Sequence, residues 1–334
     1  MMKKLITMLI GAAFSVTAYS AFAEEDLKEL NVAYFLEWPM PMMAAKASGA
    51  YDEALGVKVN WVSFETGTAM SAAMASGDIQ ISVSQGIPPF VVAASGGQDI
   101  QVIDVAVSYS DNDNCVVFSE LEVDKSNAKE LEGKKVAVPL GTAAHYGFLR
   151  QMSHFGIDTS TLEIVDMAPT DAAPAFAQGN LDFACGFGGG LQRMKEHGNV
   201  LLTGAEKEEL GILVFDVTSA PAQFIQEYPE VVAKFLSVTA KANEEWNSGK
   251  NNDELIKVIA KEAGMTVEGA KDAVATMKFP SIEEQLSDKW FGGAVQTFMG
   301  GVAQVFKEAG SIEATLESYE SRANKEPLEA ASKL

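Results

Sequence analysis

Hydrophobic residues repeat with two different periods along the first two thirds of the chain. Short runs rich in Val and Ile predict strands, and apolar residues spaced three or four apart predict the helices between them. The first set of predicted strands covers residues 30–36, 57–64, 79–84 and 100–108, with helices at 40–48, 66–76 and 88–94. This β-α-β order predicts a mostly parallel sheet with helices on both faces.

A polar, turn-prone stretch at residues 110–114 separates this set from a second one. The second set has predicted strands at 115–119, 135–139, 162–167, 181–187 and 200–203, with helices at 142–155, 171–178 and 191–197. We therefore expect two α/β lobes of similar construction.

The last third of the chain is predicted to be helical and to return to the first lobe. A strand at 212–219 is followed by helical spacing at 223–247, 253–263, 267–277 and 283–309. Two crossovers would join the lobes and leave a cleft between them. The predicted division is a signal peptide at 1–23, lobe 1 at 24–109 plus 219–334, and lobe 2 at 110–218.

The N-terminus has the pattern of a secretory signal peptide. Lys3 and Lys4 precede an apolar run at 5–16, and Ala21-Phe22-Ala23 supplies a small-x-small cleavage site. Neither cysteine lies near that site, which argues against a lipid anchor. No later stretch reaches the roughly 18 apolar residues of a membrane helix. The sequence therefore predicts a soluble protein of the periplasm.

Charge and cysteine content narrow the possible partners. The formal net charge is −21, and it becomes more negative without Lys3 and Lys4. Such a surface repels nucleic acid and anionic lipid headgroups. Cys115 begins the first strand of lobe 2 and Cys185 ends a strand expected beside it, so the two either form a disulfide or remain buried thiols.

Motifs for metal, nucleotide or nucleophilic chemistry are missing from the sequence. Three histidines occur without HExxH or CxxC spacing, and neither a phosphate loop nor a GxSxG elbow is present. The glycine-rich stretch at 186–191 lacks the third glycine of the dinucleotide fingerprint, where Leu191 stands instead. We expect no metal, no cofactor and no enzymatic activity.

Four segments of the chain resemble a known family. They are residues 75–82 (ASGDIQIS), 131–146 (LEGKKVAVPLGTAAHY), 176–187 (FAQGNLDFACGF) and 228–236 (YPEVVAKFL). They resemble ABC-transporter binding proteins for taurine and other aliphatic sulfonates, within a superfamily that includes nitrate and thiamine-pyrimidine binders. The resemblance implies a type II periplasmic-binding-protein fold, a membrane permease as partner and a monomeric protein.

The resemblance also suggests site residues. A Thr-His-Tyr triplet of the taurine proteins matches here at His145 and Tyr146, while Ala144 replaces the threonine. An aspartate on the returning strand of that family aligns with Asp216. A tryptophan that the family often carries is replaced by the glycines at 188–190, which changes the shape of the pocket.

Physical reasoning from the predicted strands points to the same region. Ligands of doubly wound sheets bind beyond the C-terminal ends of strands, here residues 36–39, 84–86, 139–142 and 186–190. Three of these ends open helices with Gly, Ser or Thr and none contains a basic residue, so backbone N–H groups would hold an anion. The predicted ligand-binding residues are Glu37, Trp38, Ser84, Gln85, Gly86, Thr142, Ala143, His145 and Asp216.

Several of these residues have structural alternatives. Asp216 stands in an apolar strand, where an unpaired carboxylate is costly, so it either binds a ligand amine or forms a salt bridge. Glu37 is a second candidate for the amine or a solvated loop acid. Trp38 is a pocket wall or a surface aromatic, and His145 contacts ligand or only caps its helix.

The favoured function is a periplasmic component of an ABC importer that binds taurine or a close aliphatic sulfonate. The alternative ligand is another small zwitterion, an amine or a thiamine-pyrimidine precursor. A third possibility is a sensing partner of a membrane receptor. An enzyme of the pyrimidine-synthase type is disfavoured, because such enzymes use a cysteine-rich iron-binding segment that this chain lacks.

Overall fold

The computed structural model describes residues 27–109, 111–212 and 215–334, so the predicted signal peptide lies outside the described residues. The strands β1 to β11 in chain order are Glu29–Phe35, Lys58–Phe64, Ile81–Gly86, Ile100–Tyr109, Asp113–Phe118, Lys135–Val138, Glu163–Asp166, Phe183–Phe187, Gly198–Val200, Phe215–Pro221 and Met277–Lys278.

Helices cover both sheets and form most of the C-terminal third. The helices α1 to α15 in chain order are Met42–Ser48, Ala50–Leu55, Gly67–Ala75, Ile87–Ser95, Ala143–Phe155, Pro169–Ala177, Gly188–Lys195, Gly204–Glu209, Ala222–Glu227, Pro229–Asn247, Asn252–Ala263, Val267–Val274, Ile282–Gln285, Ala294–Glu308 and Glu326–Ala331. Within the described residues, no helix is both long and apolar enough to cross a membrane.

The first lobe is built on a six-stranded sheet with the order β11-β4-β10-β3-β1-β2. β1 pairs in parallel with β2 and β3, whereas β10 lies antiparallel between β3 and β4. A single large apolar core joins this sheet to the C-terminal helices, including Phe235 on α10 and Phe306 on α14. The predicted return of the C-terminal helices to the first lobe is therefore observed.

The second lobe is built on a five-stranded sheet with the order β7-β6-β8-β5-β9. The chain enters it between Tyr109 and Asp113 and leaves it after Ile212. Separate apolar clusters cover its two faces, one around Phe148 and the other around Phe176. Residues of both lobes line the space between them, so the predicted cleft is present.

Both sheets are mixed rather than mostly parallel. β10 runs antiparallel to β3 and β4, and β5 runs antiparallel to β8 and β9. These are the strands next to the crossovers, where the chain enters a sheet without a preceding helical connection that would force a parallel pairing. Because β10 begins at Phe215 in the first sheet, residues 215–218 lie in lobe 1 and not at the end of lobe 2 as predicted.

Two long predicted helices are interrupted, each for a local reason. The helix expected at 223–247 breaks at Tyr228, where φ is −129° and ψ is 52°, because Pro229 disfavours helical geometry in the preceding residue. The helix expected at 283–309 is split into α13 and α14, and Gly293 with φ 139° precedes the second part.

The two cysteines are paired within the second lobe. Cys115 on β5 stands directly opposite Cys185 on β8 in the antiparallel ladder, and a disulfide joins them. Both side chains are buried in the apolar cluster on one face of the sheet. The bond therefore ties together two central strands that are 70 residues apart in the chain.

This arrangement predicts that reduction destabilises the protein. A disulfide across a loop of this length contributes about 2–5 kcal/mol by restricting the unfolded chain. We expect Cys115→Ala/Cys185→Ala to lower the free energy of unfolding by that amount in urea denaturation. Thiol titration of the unreduced, denatured wild type should find no free thiol, and two thiols per chain would contradict the pairing.

Candidate functional site

A buried carboxylate stands at the centre of the interface between the lobes. Asp216 on β10 is only 3% exposed. The hydroxyl of Ser84 donates to its Oδ2 at 2.8 Å, and the hydroxyl of Tyr109 donates to its Oδ1 at 2.9 Å. Among the described residues, no basic side chain forms an ion pair with Asp216, and the side chains that hydrogen-bond to it are two neutral hydroxyls.

Trp38 fixes the direction of the hydrogen bond between Ser84 and Asp216. Its indole N–H donates to Ser84 Oγ at 2.9 Å, and an indole can only donate. Ser84 therefore accepts from Trp38 and donates its proton to Asp216. Ser84 lies near the end of β3 with φ +61°, an uncommon value for a residue other than glycine. The backbone is therefore strained at the residue on β3 that hydrogen-bonds both to Trp38 and to Asp216 on β10.

The surroundings raise the pKa of the carboxylate toward neutral pH. Burial raises the pKa of Asp216 to about 7, while the hydrogen bonds from Ser84 and Tyr109 lower it and the nearby Asp113 raises it. Burial together with Asp216 raises the pKa of Tyr109 well above its usual value, so Tyr109 stays protonated as a donor. A cation arriving beside Asp216 would favour the ionised form.

A small cavity of about 20 Å³ lies against this carboxylate. Both lobes contribute to its wall. The lining residues are Phe35, Trp38, Gly67, Gly86, Pro89, Tyr109, Thr142, Ala143, Phe187 and Asp216. Among them Asp216 is the one charged residue, and none is basic.

Two helix N-termini open onto the same cavity. Gly67 begins α3 and Ala143 begins α5, and their caps Thr66 and Thr142 each accept from one N–H of the first turn. The remaining first-turn N–H groups have no acceptor within their own helix, and the helix dipole favours an anion there. α4 also starts beside the cavity, but its second and third residues are Pro88 and Pro89, which have no N–H to offer.

The cavity brings together five of the nine predicted ligand-binding residues. Trp38, Gly86, Thr142, Ala143 and Asp216 line it. A sixth, the hydroxyl of Ser84, lies directly behind the wall and holds Trp38 and Asp216 in place. The other three predicted residues have partners elsewhere and do not line the cavity.

Glu37 forms an ion pair across the lobes instead of reaching the cavity. Arg193 on α7 donates to it with both terminal nitrogens, at 2.8 Å and 3.0 Å. The pair borders a wider outer cavity of about 240 Å³ at the mouth of the cleft. A Cβ at position 189 would lie 2.5 Å from Glu37 Oε2, so the glycine run makes room for this contact.

Gln85 points into the first lobe. Its Nε2 donates to the carbonyl oxygen of Gly67 at 2.7 Å and to Ser71 Oγ, and its Oε1 accepts from Ser219 at 3.0 Å. Every polar atom of the side chain is thus used to fix the start of α3 on the sheet. Gln85 supports the cavity wall without lining it.

The side chain of His145 accepts a hydrogen bond from the segment that leads into its own helix, α5. Its Nδ1 accepts from the N–H of Gly141 at 3.1 Å, and its ring packs 5.1 Å from that of Phe306. Burial lowers the pKa of His145 to about 4, against a smaller opposite effect of Asp166, so the imidazole is neutral near pH 7. An anion in the cleft would therefore find backbone N–H groups there but no imidazolium.

Sequence reasoning missed Phe35, Gly67, Pro89, Tyr109 and Phe187. Tyr109 is the last residue of β4, and Phe187 is the last residue of β8, so both stand at strand ends of the kind that the rule for doubly wound sheets selects. The end of β4 is not among the four strand ends selected from the sequence, since it leads into the polar, turn-prone stretch at 110–114 and not into a predicted helix. No group of metal-binding side chains occurs in the part of the chain that the structure describes.

Known proteins match the chain over most of its length. The taurine-binding periplasmic protein of Escherichia coli K12 is 26% identical over 317 residues, which cover 93% of this chain and 97% of that protein. Because this relative is a binding protein, it agrees with the prediction of a solute-binding protein rather than an enzyme.

Solved structures share the fold. The periplasmic aliphatic sulphonate binding protein of E. coli superposes with a TM-score of 0.69 at 20% identity, over 89% of this chain and 97% of that one. The alkanesulfonate-binding protein of Xanthomonas axonopodis pv. citri, solved bound to MOPS, gives 0.71 at 18% identity, over 90% and 99%. The predicted type II periplasmic-binding-protein fold is thereby confirmed.

A family model described as NMT1/THI5 like matches residues 39–271, which include most of the first lobe and all of the second. The matched range contains the buried carboxylate, its hydroxyl partners and both helix N-termini at the cavity. The match therefore extends over most of the site, while Phe35 and Trp38 lie just before the matched range. The chain belongs to the NMT1/THI5 like family.

Proposed function

We propose that the protein captures a small aliphatic sulfonate with an amine, such as taurine, between its lobes and delivers it to an ABC-type permease. The observation that carries this proposal is the inter-lobe cavity with one buried carboxylate, two helix N-termini and no basic lining residue. A zwitterion matches this arrangement, because its two charges would meet complementary groups.

The carboxylate of Asp216 would bind the cationic end. Its two oxygens each accept one hydrogen bond, which leaves further lone pairs for a ligand, since an ionised carboxylate has about four acceptor sites. The cavity excludes most water, so the attraction between the two charges is weakly screened.

The first turns of α3 and α5 would bind the sulfonate. Its three oxygens and single delocalised charge suit several N–H donors better than one point charge. His145 is neutral, and Pro88 and Pro89 remove N–H donors from α4. The backbone N–H groups that would bind the sulfonate therefore belong to Gly67, Ala143 and the residues that follow them.

The relatives support the proposed ligand class and the proposed periplasmic location. One is a taurine-binding protein of the periplasm, and two solved neighbours bind sulfonates. We therefore propose export by the predicted signal peptide, a periplasmic location and a monomer that meets its permease after closing on ligand. The ion pair of Glu37 with Arg193 and the hydrogen bond of Thr170 to Glu65, at 2.9 Å, would hold the lobes closed.

Asp216→Asn tests the proposed function directly. Removing one partner of a desolvated charged pair costs about 2–5 kcal/mol, so taurine binding should weaken roughly 30-fold or more. Ethanesulfonate, which has no amine, should lose much less. Calorimetric titration of both ligands measures the difference.

Asp104→Asn is the matched control for this change. Asp104 is also 3% exposed and also accepts one hydrogen bond at each oxygen, from Gln285 and Thr218, but it lies outside the cavity. It should lower stability without changing the preference for taurine over ethanesulfonate. Equal losses of both ligands in Asp216→Asn would make Asp216 structural, and no binding of any sulfonate to the wild type would remove the ligand class.

Gly86→Ala should block the cavity without unfolding the protein. A Cβ at Gly86 would lie 3.4 Å from Ala143 Cβ and 3.4 Å from Asp216 Oδ1, which is ordinary contact across the space between the lobes. A methyl group forced into a filled site costs about 1–3 kcal/mol, so affinity should fall about tenfold or more.

The matched control is Gly301→Ala on α14, where an added Cβ meets nothing within 4 Å. Calorimetry and thermal unfolding of both variants separate the two effects. Unchanged taurine affinity in Gly86→Ala would place the ligand outside this cavity.

A further inference from the structure

A second buried carboxylate lies behind the wall of the cavity. Asp113 is the first residue of β5 and is only 1% exposed. Its Oδ2 is buried and forms no hydrogen bond within the described part of the chain. A buried carboxylate oxygen without a donor costs free energy, so a nearby cation has to offset its charge.

That cation is Lys207 on α8, which is also only 1% exposed. Its ammonium donates to the backbone carbonyl oxygen of Asp113 and forms no ion pair with a described carboxylate. Lys207 therefore acts on the carboxylate of Asp113 through space. Burial raises the pKa of Asp113 to about 7, and the charge of Lys207 opposes this rise.

About one turn of α5 separates Asp113 from the cavity. A Cβ at Gly147 would lie 3.5 Å from Asp113 Oδ1. One turn earlier on the helix, Ala143 lines the cavity, and a Cβ at Gly86 would lie 3.4 Å both from Ala143 Cβ and from Asp216 Oδ1. Because one turn of helix rises about 5.4 Å, the two carboxylates are on the order of 10 Å apart.

The charge of Asp113 acts on the groups of the site. After burial and the hydrogen bonds from Ser84 and Tyr109, Asp113 is the next influence on the pKa of Asp216, and it raises that pKa. Charges separated by buried protein are screened much less than charges separated by water. A cation bound beside Asp216 would therefore be attracted by both carboxylates.

We propose that Asp113 is a second carboxylate of the cation site, which attracts the ammonium group of the ligand across α5 without touching it, and that Lys207 is its counter-charge. This inference rests on the proposed function, because it takes an ammonium group beside Asp216 as given. It assigns to Asp113 and Lys207 a part of the preference for a sulfonate with an amine. The attraction acts on charge, so a sulfonate without an amine gains nothing from it.

Calorimetric titration of Asp113→Asn with taurine and with ethanesulfonate at pH 8 tests the inference. Asp113 and Asp216 are mostly ionised at this pH, since burial raises the pKa of each only to about 7. Taurine should bind about five- to tenfold more weakly than to the wild type, because two unit charges at this separation interact by that much in a protein interior. Ethanesulfonate should bind equally well or more tightly.

The outcomes separate this inference from the proposed function. Equal losses of both ligands in Asp113→Asn would make Asp113 structural, and an unchanged affinity for taurine would show that its charge does not reach the ligand. Either result overturns the inference. If Asp216→Asn loses the preference for taurine in the same experiment, the proposed function still stands. If neither ligand binds to the wild type, both fail.

Lys207→Met approaches Asp113 from its other side. Without the ammonium the pKa of Asp113 rises further, so taurine binding should weaken as in Asp113→Asn while ethanesulfonate binding does not. The double variant should bind taurine within about twofold of Asp113→Asn, because Lys207 acts through Asp113. Losses that add in the double variant would overturn the pairing.

Asp104→Asn is again the matched control. It removes another carboxylate that is only 3% exposed and lies outside the cavity, so it should keep the preference of the wild type for taurine. A reduced preference in this variant would show that any lost buried carboxylate has the same effect, and the assignment of Asp113 would fail. Thermal unfolding of each variant confirms that the titrated protein is folded.

Discussion

The site depends on the hydrogen-bonded burial of one carboxylate. Asp216 lies in an apolar strand, and an unpaired charge there would be expensive. Ser84 and Tyr109 each donate to it, and Trp38 directs Ser84 by donating to its oxygen. Because these hydroxyls are neutral, they stabilise the carboxylate without cancelling its charge. Asp216 therefore keeps free acceptor positions and its negative charge, and a cationic ligand can pair with both.

The second lobe supplies the part of the cavity wall that the first lobe does not form. Thr142, Ala143 and Phe187 come from the second lobe and complete the cavity wall. Outside the cavity, Glu37 reaches across to Arg193, and Gly188 and Gly189 let the lobes approach closely at Glu37. Since the chain crosses between lobes only twice, contacts of this kind hold the closed arrangement together. Binding and closure are then one event, with the ligand contacting both lobes.

The sequence predicted the position of the cleft better than the direction of its side chains. The rule that ligands bind beyond strand ends located Trp38, Gly86 and Thr142, because it depends only on the order of strands and helices. It could not show that Gln85 points into the lobe, because one residue along a strand reverses the side chain's direction.

Long-range contacts between side chains could not be predicted from the sequence either. The partner of Glu37 is Arg193, which is 156 residues away in the chain, and no local pattern joins the two. The mixed sheets were missed for the same reason, since strand direction next to a crossover is decided by the lobes and not by nearby residues. Asp216 could be singled out because a charge inside an apolar run is a local signal.

Counting the protons released on ligand binding tests the central claim, that Asp216 takes the cationic end of the ligand. Burial raises the pKa of Asp216 to about 7, so near pH 6 most empty molecules hold a proton there, and a bound cation would expel it. Titration of taurine in two buffers of different ionisation enthalpy should show release of nearly one proton by the wild type and by Asp104→Asn, and almost none by Asp216→Asn. Asp113, whose pKa burial also raises to about 7 and whose charge acts on Asp216, is present in all three proteins, so any release that remains in Asp216→Asn is assigned to it. Equal release by all three, or none by the wild type, would contradict the account.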